Sequence, residues 1–103
     1  MGTYNTLRSS LACPRCGAVA ETNVDCHFGD TSQMIELKIG DRYPWVPRKQ
    51  PQNGGRPENG TVAGEGYMEC PQCHKDSFLR VIVRDDVITA VEPDRDRHGY
   101  ISD

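Results

Sequence analysis

This chain has little with which to build a large core. Of its 103 residues, 36% are apolar and 7% are aromatic, with two Phe and a single Trp. One domain spanning residues 1–103 with a modest core is expected, and a chain of this kind gains from a staple other than burial. No apolar run reaches the length of a membrane-crossing helix. The opening stretch, Met1 to Leu11, is polar and lacks the apolar centre of a signal peptide. Positive charge is not in excess: 12 Lys and Arg against 15 Asp and Glu give a net charge of −3. That balance leaves no global basic footprint for nucleic acid. Apolar residues do not recur at helical period over any useful length, so helices are not expected. These absences make a small cytoplasmic β-rich protein the default reading, with no membrane partner.

What the chain does have is patterned cysteine. Four of its five Cys lie in Cys13-Pro14-Arg15-Cys16-Gly17 and Cys70-Pro71-Gln72-Cys73-His74. A Cys-x-x-Cys turn directs both sulfurs to one point, so two such turns offer four thiolates to one ion, the ligand set of a closed tetrahedral zinc site. In a reducing compartment, paired motifs of this kind read as metal ligands rather than disulfides. Proline after the first Cys fixes φ and stiffens the turn. Backbone N–H groups following that Cys point at its sulfur and spread the negative charge. Gly17 admits the positive φ that the turn needs beyond its second Cys. His74 stands at the matching place in the second motif.

These residues resemble the knuckle pair of zinc ribbons and rubredoxins, and the layout is similar to that of small uncharacterised bacterial proteins with one split zinc ribbon. The resemblance is carried by about ten residues around the two motifs. It implies an all-β fold in which two knuckles cap two β-hairpins and one Zn²⁺ clamps them. It also implies Cys13, Cys16, Cys70 and Cys73 as the ligands.

The rest of the sequence reads as strands. Tyr4 to Leu11 leads into the first Cys pair. Thr22, Val24, Cys26 and Phe28 alternate with Asn23, Asp25 and His27. After the Gly29-Asp30 turn, Ile35, Leu37 and Ile39 alternate with Met34, Glu36 and Lys38, so the two runs together are expected to form a hairpin. Residues 44–60 hold four Pro and three Gly and read as a long mobile loop between the halves. Thr61 to Glu69 returns to strand spacing, weakened by Gly64 and Gly66. Phe78 to Val83 and Val87 to Val91, split by Asp85-Asp86, form another expected hairpin, and 94–103 is a polar tail. About six strands result.

A closed four-sulfur site leaves no position for water or substrate, so a structural role and no catalysis are expected. Iron in the same site would give a rubredoxin-like electron carrier, but rubredoxins are shorter between their pairs and richer in aromatics. A thiol-redox motif needs a βαβ context that is missing. The deaminase signature fails on spacing, because Pro71 lies inside the Cys pair and His27 lacks a Glu two residues on. Cys26, among Val24 and Phe28, reads as a small buried hydrophobe. The expected function is a non-enzymatic protein-binding module of adaptor, inhibitor or immunity type. Tyr43, Trp45, Arg48 and Lys49 are the candidate contact residues. Nucleic acid is the alternative partner, because Lys38, Arg42, Arg48, Lys49 and Arg56 make the central region basic beside two stackable rings. No small-molecule substrate is implied.

Overall fold

The computed structural model describes residues 3–94. It contains six strands: β1 (Asn5–Ala12), β2 (Val19–Cys26), β3 (Glu36–Leu37), β4 (Val62–Glu69), β5 (Asp76–Arg84) and β6 (Val87–Pro93). They form one sheet in the order β3-β1-β2-β4-β5-β6. The polar tail lies outside the described residues beyond Asp94.

Two long hairpins dominate. β1 and β2 pair antiparallel from Asn5↔Cys26 to Ala12↔Val19, and β4 and β5 pair from Val62↔Val83 to Glu69↔Asp76. β6 extends the second hairpin through a turn in which Asp85 and Asp86 both take positive φ, 50° and 69°. Two successive residues in that region match the right-handed twist of hairpin strands. Among the described residues, strand pairing between the two hairpins is confined to Asp25↔Tyr67 and Cys26↔Gly66, with His27 N–H donating to Glu65 O just beyond.

Period-two patterning places Leu7, Val24, Cys26, Met68, Val81 and Val83 on one buried face. Gly64 and Gly66, which weaken β4 as a sequence signal, are packing sites. A Cβ at Gly64 would overlap the Phe28 ring, and one at Gly66 would stand 2.9 Å from Val24 Cγ1.

The run from Met34 to Ile39 does not form the expected hairpin with Thr22–Phe28. Along its C-terminal end β2 is already paired on both sides, with β1 and, at Asp25 and Cys26, with β4, so the returning chain pairs elsewhere. It contributes only the two residues of β3, parallel to β1 at Thr6↔Glu36 and Leu7↔Leu37. The link is organised by Asn5, which is fully buried. Its amide donates to Asp30 O at 3.0 Å and to Tyr43 Oη at 3.3 Å, and its carbonyl accepts Ile35 N–H at 3.2 Å.

Residues 44–60 contain two short 3₁₀ turns, Pro51–Asn53 and Glu58–Gly60. The loop folds back on itself through Val46 N–H to Gly54 O at 2.8 Å and is joined to the β5–β6 turn through Asp86 N–H to Gly60 O at 3.0 Å.

Candidate metal centre

Each Cys motif occupies the tip of one long hairpin, and the two tips are built alike. In the first, Cys13 N–H donates to Ala18 O at 3.0 Å and Gly17 N–H to Cys13 O at 2.9 Å; in the second, Cys70 N–H donates to Lys75 O and His74 N–H to Cys70 O, each at 2.9 Å. Arg15 N–H and Gln72 N–H approach Cys13 Sγ and Cys70 Sγ, each at 3.3 Å. Gly17 takes φ 77° and His74 takes φ 62°, so His74 adopts the left-handed geometry that glycine supplies in the first tip.

The four Sγ atoms of Cys13, Cys16, Cys70 and Cys73 lie within 4.8 Å of one another. Cys13 and Cys73 are 3.8 Å apart, as are Cys16 and Cys70. A regular tetrahedron with metal–sulfur bonds of about 2.3 Å has edges of about 3.8 Å, so the sulfurs stand where a four-coordinate ion requires them. The same separation is far beyond a disulfide bond of about 2.05 Å. The donor set therefore fits a thiophilic metal.

The electrostatics agree with that fit. The Cys73 N–H and then that of Gln72 pull Cys70 down to about 6, with help from the neighbouring sulfurs. At Cys16 the Ala18 N–H also lowers the thiol, but desolvation and the other three sulfurs prevail and push it up to about 11. Four sulfurs this close cannot all ionise without a cation among them. Cys26 lies apart, fully buried, where loss of water pushes its thiol up to about 12. It is a core residue and no ligand.

The candidate contact residues fall into different environments. Tyr43 is only 3% exposed, stacks on Phe28 with ring centroids 4.2 Å apart, and donates its hydroxyl to Phe28 O at 2.6 Å. It is a core residue, and its ring presents no surface to a partner. Trp45 is half-buried, and its indole N–H donates to Asp86 Oδ1 at 2.8 Å. Arg48 and Lys49 are exposed.

Sequence reasoning missed Asp86, which reads there only as half of a turn dipeptide. Its carboxylate also accepts Arg56 Nε–H at 2.8 Å and faces Arg42 at 3.7 Å. Arg56, with help from Trp45 and Arg42, holds its carboxyl below the usual range. One side chain thus ties the central loop to the second hairpin. Asp76 was missed as well: it is 1% exposed and accepts the Tyr67 hydroxyl at 2.6 Å.

The described residues therefore define an all-β, zinc-ribbon-like chain with a four-cysteine cluster fit to hold a metal. Among them no helix is long and apolar enough to cross a membrane. Comparison of the chain with family models, curated proteins and solved structures gives no match.

Proposed function

We propose that this chain is a non-enzymatic binding module, in which one structural Zn²⁺ clamps two hairpins and the surface engages another protein in the cytoplasm. The observation that carries this reading is the closed cluster of Cys13, Cys16, Cys70 and Cys73. All four positions of a tetrahedral ion are taken by protein sulfur, which leaves none for substrate. Zinc bound there supplies folding free energy and no redox chemistry.

A protein partner is favoured over nucleic acid by the fate of the basic region. Arg42 and Arg56 both face Asp86, so part of the positive charge is matched within the chain. Tyr43 is buried, and Trp45 has its indole N–H engaged. The interleaved cations and free rings of a single-strand binding surface are therefore reduced to Lys38, Arg48 and Lys49.

Two measurements test the reading. Purified protein carrying one equivalent of zinc and no visible colour supports it, whereas a ferric–thiolate absorption band assigns the site to electron transfer. Zinc-loaded protein is then used to capture partners from its native host after nuclease treatment, alongside W45A and R48A/K49A variants. Capture of a defined protein that weakens in either variant supports a partner surface around the central loop. Recovery of nucleic acid alone, with affinity falling steeply as salt rises, overturns the choice of partner.

A further inference from the structure

The two hairpins are joined at both ends of a gap. The metal tips hold them at one end, and the pairs Asp25↔Tyr67 and Cys26↔Gly66 hold them at the other. The spans between these points are unequal. β2 needs eight residues, from Val19 to Cys26, where β4 needs four, from Gly66 to Glu69. Strands of unequal length between shared end points cannot stay in register, and a groove of about 330 Å³ opens between them. This is at the lower end of the range for ligand pockets.

The groove is lined from β2 by Glu21, Asn23 and Asp25, and from β4 by Tyr67, Met68 and Glu69. Thr22 and Met68 belong to the buried face of the sheet, so the groove reaches down between the strands. Its backbone is open on the β2 side. His27 N–H donates to Glu65 O at 3.1 Å, and alternate residues of an antiparallel strand turn their polar groups the same way. The N–H and C=O of Asn23 and Glu21 therefore face β4. The next pair in register would be Asn23 with Glu69, and it is not formed among the described residues.

Charge gives the occupant. Three carboxylates, Glu21, Asp25 and Glu69, face one guanidinium, that of Arg8, which meets Glu21 at 3.1 Å. Partial burial pushes the Asp25 carboxyl above its ordinary value, and His27, exposed beyond it, acts in the opposite sense. An open strand edge beside an acidic wall matches an extended segment bearing a cation: backbone pairing supplies affinity and the carboxylates supply selection.

We propose that this groove is the docking site for an extended, basic segment of a partner protein, which pairs along β2 at Glu21 and Asn23 and sets a Lys or Arg side chain against Asp25 and Glu69. The inference rests on the binding-module reading and gives it a location away from the central loop.

The test uses the zinc-loaded full chain, labelled with ¹⁵N, and the probe acetyl-Val-Arg-Val-Arg-Val-amide. Saturable shifts and slowed exchange at the Glu21, Asn23 and Glu69 amides are expected. Binding should be about tenfold tighter than for acetyl-Val-Glu-Val-Glu-Val-amide, since like charges repel across the groove. D25N/E69Q should weaken it about fivefold, as two partly exposed pairs are lost, while one equivalent of metal is retained. Shifts confined to other surfaces, equal affinity for the Glu peptide, or no saturation overturn the proposal. So does equal affinity for acetyl-arginine-amide, which shows a cation contact without strand pairing. The same variant separates this proposal from the broader one. A protein captured by the parent chain and equally by D25N/E69Q sinks the groove and leaves the binding module standing, whereas loss of that capture supports the groove.

Discussion

Chelation of the metal is expected to part the two hairpins at the seam between β2 and β4. Cys16 and Cys70 are separated by 54 residues in sequence. A cross-link that closes a loop of that length removes chain entropy from the unfolded state worth on the order of 4 kcal/mol. Backbone pairing across the seam is short, since among the described residues the strands pair at Asp25↔Tyr67 and Cys26↔Gly66 with a further bond from His27 to Glu65, and the rest is packing of Val24 and Phe28 on Gly66 and Gly64. Set against a typical domain stability of roughly 5–15 kcal/mol, the clasp accounts for a large share. Urea unfolding in reducing buffer, with zinc and with EDTA, measures it. Far-UV circular dichroism follows the sheet, and fluorescence of Trp45, the single tryptophan, follows the loop. The chelated protein should lose about 4 kcal/mol or more, and amide exchange should quicken first at His27, whose N–H makes the bond to Glu65 O. A loss below about 1 kcal/mol would refute the assignment of the cluster as a structural clasp, as would a seam that exchanges no faster than the β1–β2 ladder.

Three further perturbations probe other parts of the argument. His74→Gly should raise stability by about 0.5–1 kcal/mol in denaturant melts, because it relieves a left-handed residue at φ 62°; a loss would mean that the imidazole makes a compensating contact. Gly64→Ala should cost about 1–3 kcal/mol, since the new methyl group displaces the Phe28 ring stacked on Tyr43; unchanged stability would place that ring elsewhere. The carboxyl of Asp86 lies below its ordinary value of 3.8, chiefly through Arg56, with Trp45 and Arg42 also facing it. Its contribution is therefore present above that ordinary value and is lost as pH falls through the lower folded value. Trp45 emission should change over that acid range in the parent chain, and Asp86→Asn should remove that component; an identical titration in both proteins would disprove the role of Asp86.

The hairpins and their cysteine-bearing tips were legible because their signals are local. Alternation from Thr22 to Phe28 reports burial on one face, the apolar β-branched run from Phe78 to Val83 reports a strand, and the Cys spacing reports a turn. Pairing between distant strands leaves no such trace. The alternation from Met34 to Ile39 is genuine in that Leu37 is buried and Glu36 is exposed. Nothing in those residues states that β4 already pairs with β2 beside Asp25 and Cys26, or that the side chain of Asn5 would receive them beside β1 instead. The same limit hid the true place of Tyr43. Its neighbour Phe28 is fifteen residues away, and only the fold brings the rings into register. Gly64 shows the converse. Read alone, it weakens a strand; read with Phe28, it is the space that a ring fills.

The division of the cluster between two hairpins also sets an order of events during synthesis. Cys13 and Cys16 leave the ribosome 54 residues or more before their partners. At about 5–20 residues per second, the first knuckle waits roughly 3–11 s as a bare dithiol. Two ligands hold an ion far less firmly than four, so the nascent chain passes through an interval in which its first pair is open to oxidation or to the wrong metal. If the cluster binds its metal as proposed, exposure of the first pair to oxidation is therefore greatest before the chain has finished folding.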